Sequence, residues 1–327
     1  MKKFSFIFLF FLTFPLFSQI FESNDFHLSI EPFLSYSRGT IDEIIYTDSD
    51  KYKRSLLEWD RNIFLYGTGI QSQYKNFHLD LNFSSSIPNL KCGLMKDSDW
   101  FNNDNFSMKT TYSVGDNKNR NNFDISAKTK FDFKLSNHFT ISPAMQFQYN
   151  YDSFVRMEAE GWYGQEGYSS DGNHHNWYDS EAMHFPSEER WDEEKQRYVR
   201  YKLLGIKYFR NSFVSWFGFD FAFILKKFST SFSAFFSPLE YNQVQDTHIG
   251  GSILKQNQTD NFSKYKFSID ASYLLTEYLA LSFKTEYLTG NTIKGDLYEN
   301  GTFNKKQKSG SNSKELTCSF GVKFLIF

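Results

Sequence analysis

Hydrophobic and polar positions alternate along most of this chain with a period of two. From Phe123 to Leu135, the residues Phe123, Ile125, Ala127, Thr129, Phe131, Phe133 and Leu135 interleave with Asp124, Ser126, Lys128, Lys130, Asp132 and Lys134. Successive side chains of an extended backbone point to opposite sides, so this stretch predicts a strand with one oily and one charged face. Ser263 to Leu275 repeats the pattern, with Tyr265, Phe267 and Ile269 set against Lys264, Lys266 and Ser268, and Leu279 to Tyr287 follows it. Taken along the whole chain, the periodicity predicts ten strands: Phe26–Ser37, Leu57–Tyr74, Asn76–Ser86, Asn122–Leu135, Phe139–Val155, Tyr201–Leu225, Phe228–Glu240, Phe262–Leu275, Tyr278–Leu288 and Glu315–Phe327.

The joins between them alternate in length. Lys75, Ser136-Asn137-His138, Lys226-Lys227 and Thr276-Glu277 make tight turns, whereas Arg38–Leu56, Ile87–Asn121, Arg156–Arg200, Tyr241–Asn261 and Thr289–Lys314 are long and polar. Within the third of these, Tyr168 to Tyr198 is rich in Ser, Asn, His and acid and reads as exposed loop. Short turns at one end and long loops at the other describe an all-β fold, a ten-stranded antiparallel transmembrane β-barrel with long extracellular loops. Closure matters physically, because an open sheet in lipid leaves its edge N–H and C=O groups without partners. A periplasmic β-sandwich is the competing architecture. Repeated faces of Phe, Leu, Ile and Tyr opposite Lys, Asp and Ser favour lipid outside and a polar lumen inside. The last strand turns Phe320, Val322, Phe324 and Ile326 outward and ends on Phe327, which falls on the other face.

Composition supports this picture. The 327 residues include 39 Phe, 20 Tyr and 6 Trp, 20% of the sequence, yet the mean hydropathy is -0.53. So many aromatics in so polar a chain mean fine interleaving rather than one thick core. A net charge of -2 argues for neither nucleic acid as a partner nor a basic membrane patch.

Met1-Lys2-Lys3, the apolar run Phe4 to Phe17 and the small polar Ser18-Gln19 have the form of a secretory signal. Cleavage near Ser18 or Gln19 is expected, which makes residues 1–19 the signal and 20–327 one barrel domain in the cell outer membrane. The apolar run is shorter than the ~20 residues a spanning helix needs, and no later stretch reaches that length. Cys92 and Cys318 show no CxxC or zinc spacing, and His174-His175 with His184 lack the regular spacing of a metal site.

Two short runs carry chemistry. Met95-Lys96-Asp97-Ser98-Asp99-Trp100 and Gln245-Asp246-Thr247-His248-Ile249 each hold polar residues at i and i+2, which an extended chain projects to one side. A carboxylate on one imidazole nitrogen fixes the tautomer and raises the basicity of the other, as a histidine needs to take a proton from water. Two adjacent carboxyls cannot both ionise freely, so one is driven toward its protonated form and can act as an acid near neutral pH. Strict alternation counted from the lipid-side Phe83 and Phe236 puts all four residues on the outward parity. Pro88 and Pro238 follow those apolar runs, and proline in a sheet marks an edge or a bulge, so a phase reset is expected on both strands.

Asp97-Ser98-Asp99-Trp100 after the third strand and Asp246-Thr247-His248 after the seventh resemble the paired motifs of the omptins, outer-membrane aspartyl-histidyl proteases of bacteria. Smaller echoes span the chain: Leu57-Glu58-Trp59, Phe185-Pro186, the run Gly205 to Arg210, and Lys294-Gly295 with Leu297-Tyr298. The resemblance implies His248 as general base on a water, Asp246 holding its ring, and Asp97 with Asp99 positioning that water and protonating the leaving amine. It calls for no Ser or Cys nucleophile and no metal. It implies a pocket acid at Glu43 for a basic residue, while the second pocket acid, two residues before Asp246, is replaced by Val244. It also implies protein or peptide substrates, a site facing the extracellular side, and bound lipopolysaccharide or a similar outer-membrane lipid on the outer wall, for which Arg156 and Arg210 are the candidates. A monomer is expected. The rivals are a catalytically silent barrel acting as adhesin or receptor through its loops, and a small pore, which charged lumen faces disfavour.

Overall fold

The computed structural model describes residues 26–47, 51–101, 109–156, 159–163, 183–184, 187–192, 197–202, 205–248 and 253–326. The expected signal, His174, His175, the Phe185-Pro186 echo, most of the Tyr168–Tyr198 loop and Phe327 lie outside the described residues. The strands are β1 (Phe26–Tyr46), β2 (Lys53–Asp60), β3 (Ile63–Tyr74), β4 (Phe77–Ser86), β5 (Lys91–Asp99), β6 (Thr111–Asn119) and β7 (Phe123–Phe131). They continue as β8 (Phe133–Lys134), β9 (Phe139–Arg156), β10 (Glu160–Tyr163), β11 (Met183–His184), β12 (Ser187–Asp192), β13 (Arg197–Lys202) and β14 (Ile206–Leu225). The last are β15 (Phe228–His248), β16 (Ile253–Asp260), β17 (Lys264–Thr276), β18 (Leu279–Gly290), β19 (Ile293–Glu299) and β20 (Thr302–Ile326).

Antiparallel pairing runs from β1 to β3, β4, β7, β9, β14, β15, β17, β18 and β20, and β20 pairs back onto β1. The sheet closes on itself, so these strands present no free edge. The turns at Lys75 and Lys226 sit at φ 54 and φ 52, a left-handed backbone that tight reversals demand and non-glycine residues adopt at a cost.

Alternation sorts the faces as the sequence predicts. Leu34, Phe64, Ile125, Phe147, Ile269 and Phe320 stand exposed on the outside. Inside, Lys128 meets Asp220 at 2.9 Å and Asp80 at 3.6 Å, and Lys264 meets Glu240 at 2.5 Å. An apolar exterior around a charged interior inverts a water-soluble protein and matches a wall bathed in hydrocarbon.

One expectation is corrected. The segments read as long polar loops contain strands: β2, β5, β6, β16 and β19, together with the upper parts of β1, β15 and β20, prolong the ring beyond its apolar band. The reason is chemical. Gln256, Gln258, Ser309 and Ser311 are buried on the inner side here and bond one another, Gln258 donating to Gln256 at 2.8 Å, so both faces are polar and no hydrophobic period marks the strand.

Two layers cross the interior beneath these extensions. In the upper, Trp59 stacks on Tyr208 (5.2 Å) and Phe154 (6.0 Å), within a buried cluster that includes Ile41, Met95 and Val244. In the lower, Arg61 donates to Asp152 at 3.0 Å and Glu315 at 2.6 Å, and Arg210 donates to Asp152 at 2.8 Å. Buried charges survive only when paired in this way.

Candidate active site

The four residues singled out by spacing all reach the inner face of the extended rim, because both strands carry a bulge. On β15, Ser215 pairs with Leu239 but Phe217 with Phe236, so Ser237 and Pro238 together oppose one residue of β14. Before this point Phe232 and Phe236 face out; after it Leu239 and Tyr241 do, and Glu240, Asn242, Val244 and Asp246 are buried. The reset expected at Pro238 is where the proline stands. On β5 the extra residue is Cys92, between Lys91, opposite Lys118, and Gly93, opposite Asn117. Gly93 has φ +117, and a Cβ there would lie 2.4 Å from Cβ of Asp60. The second reset therefore sits a few residues beyond Pro88 and depends on glycine. It turns Met95, Asp97 and Asp99 inward while Leu94 faces out.

His248 Nε2 lies 2.8 Å from Oδ2 of Asp246, which is wholly buried, while the imidazole keeps a third of its surface open to the groove. That contact leaves Nδ1 as the nitrogen available to a substrate water. Burial pulls the imidazole pKa down, but the hydrogen bond it donates to Asp246 and the charges of Asp246 and Asp97 outweigh it and leave the ring more basic than usual. Across the groove, burial raises Asp97, and the Arg156 guanidinium and His248 oppose the rise. Burial, reinforced by the charge of Asp97, pushes Asp99 up to about 7. Two carboxyls of raised pKa therefore share the rim with an imidazole of raised pKa.

Glu43 joins them from β1. It is buried, its Oε1 accepts a hydrogen bond from Gln256 Nε2, and burial with the charges of Asp246 and Asp97 drives its pKa well above the usual range. Val244 fills the position where the resemblance places a second acid, and its neighbour across β14 is Arg210. Arg156 and Arg210, the candidates for the outer wall, are both buried within: they share the inward parity of Asp152, Arg210 pairing with it and Arg156 donating to Ser113 at 2.7 Å. Sequence reasoning missed Trp59, Tyr208 and Gln256. The first two stood inside quoted echoes, and Gln256 inside a segment read as loop. Cys92 and Cys318 are free thiols.

A closed antiparallel ring of this kind is the architecture of bacterial outer-membrane β-barrels. The outer membrane protease OmpT from Escherichia coli superimposes with a TM-score of 0.74 at 15% identity, over 93% of this chain and 99% of that one. The translocator domain of the autotransporter NalP from Neisseria meningitidis gives 0.34 at 7% identity over 91% and 88% of the two chains, and OprG from Pseudomonas aeruginosa 0.33 at 9% over 92% and 96%. No curated protein matches the sequence. The chain belongs to the omptin family, whose model it matches over residues 25–326.

Proposed function

We propose that this chain is an outer-membrane endopeptidase that cleaves peptide bonds with a water activated by His248 and Asp246. Counting each extension with the strand it prolongs, the ring is a ten-stranded barrel, monomeric, with its groove on the extracellular side. The observation that carries the reading is the hydrogen-bonded Asp246–His248 pair, set opposite two carboxyls of raised pKa.

In the reaction, Nδ1 of His248 takes a proton from the water as its oxygen bonds to the scissile carbonyl carbon, and the C=O electron pair moves onto oxygen. Asp246 stabilises the imidazolium. When the tetrahedral intermediate collapses, the C–N bond breaks and the leaving amine takes a proton from the protonated Asp99–Asp97 couple. Glu43, Asp246 and Asp97 crowd negative charge around one recess, which supports a preference for a basic side chain before the scissile bond even with Val244 in place.

A peptide-library digest by the protein in lipopolysaccharide-containing micelles, wild type beside Asp246→Asn, tests this. Wild type should cleave, chiefly after Lys or Arg, and the variant should be at least about 100-fold slower. Wild type that leaves every peptide intact supports a silent barrel acting as adhesin or receptor.

A further inference from the structure

The Asp246 carboxylate is only half accounted for. Oδ2 holds His248, while Oδ1 is buried and has no hydrogen-bond partner among the described residues. Three more buried polar atoms near it share that condition: Glu43 Oε2, the Tyr208 hydroxyl and the Trp59 indole nitrogen. All four residues are at most 2% exposed. Unpartnered buried polar groups are rare and costly to leave unsatisfied. These four are complementary, two acceptors and two donors.

The register brings them together. Tyr208 is directly opposite Asp246 on β14, both side chains pointing inward, which sets their Cβ atoms roughly 4.5–5.5 Å apart. Trp59 lies against the Tyr208 ring at 5.2 Å, and the charges of Glu43 and Asp246 both reach the Tyr208 phenol. A single buried water satisfies such a set, since ordered internal waters make about three hydrogen bonds to otherwise unsatisfied groups.

Resting on the endopeptidase reading, we propose that Tyr208 is a positioning residue for the Asp246–His248 pair. Its hydroxyl, through one bound water shared with the Trp59 indole, supplies the hydrogen bond that holds Oδ1 of Asp246. It touches neither substrate nor the attacking water. The effect runs through the carboxylate: with Oδ1 held, the carboxylate plane is fixed and His248 points its free nitrogen into the groove. Part of the negative charge is also absorbed by the donor, which limits how tightly Asp246 holds the imidazolium.

The test is the pH dependence of peptide cleavage by Tyr208→Phe, which keeps the ring and its stack on Trp59. The expected result is kcat lowered roughly tenfold with KM unchanged. The acid limb should also move to higher pH, because a carboxylate without its donor binds the imidazolium more strongly. Glu43 on β1, Asp97 and Asp99 on β5 and Arg156 on β9 face the pair in both proteins, so the difference reports the hydroxyl. Phe154→Leu, which disturbs the same aromatic layer without touching its polar atoms, should lower the melting temperature and leave the limb in place. A Tyr208→Phe protein with wild-type kcat, or one with reduced kcat and an unmoved acid limb, overturns the inference. Wild type that cleaves nothing under the same conditions overturns the endopeptidase reading instead.

Discussion

At the scale of single residues, the site raises the pKa of two groups that ordinarily titrate apart, the His248 imidazole and the Asp99 carboxyl. His248 must be neutral to act as base, and its partners raise its pKa above the ordinary 6.5, so the rate should climb as pH passes that raised value. Asp99 must be protonated to act as acid, and the rate should fall as pH rises through about 7. A bell in kcat/KM is the expected profile, and Asp99→Asn should abolish its alkaline side while lowering kcat about 100-fold. A flat profile in wild type, or an alkaline limb that survives the substitution, contradicts this assignment. The four candidate residues were legible in the sequence because strand spacing puts i and i+2 on one side. Tyr208 and Gln256 were not, since nothing in a sequence tells which partner strand, in which register, will face a given side chain.

At the scale of strands, the inward placement of the candidate site depends on two inserted residues. Uninterrupted alternation from Phe236 carries Asp246 and His248 to the lipid side, and the extra residue at Ser237-Pro238 brings them in. Deleting Ser237 should therefore leave a barrel with the wild-type circular dichroism and lower peptide cleavage by at least about 100-fold. Retained cleavage in that deletion means the phase is set elsewhere. The proline announced this bulge in the sequence. Its counterpart at Cys92-Gly93 was placed too early, because the signal there is a glycine held at positive φ rather than the proline before it. The rim strands escaped notice for a different reason: hydrophobic periodicity reports burial against lipid or core, and strands that rise clear of both have neither.

At the scale of the molecule, closure was the most legible feature. Ten oily-and-charged segments joined alternately by short and long connections leave few alternatives, and the pairing of β20 with β1 completes the ring. What the pattern could not show is the stack beneath the groove, the aromatic layer of Trp59, Tyr208 and Phe154 over the Arg61–Asp152–Arg210 pairs, because both layers join residues far apart in sequence. That stack fills the interior under the rim and gives the groove a floor. The proposed attack by water has a direct test: single-turnover cleavage of a peptide in ¹⁸O-labelled water, read by mass spectrometry of products and protein. One labelled oxygen in the new carboxyl terminus, with the protein's mass unchanged, is the predicted result. A protein that carries a covalent acyl adduct, or a peptide left whole, contradicts it.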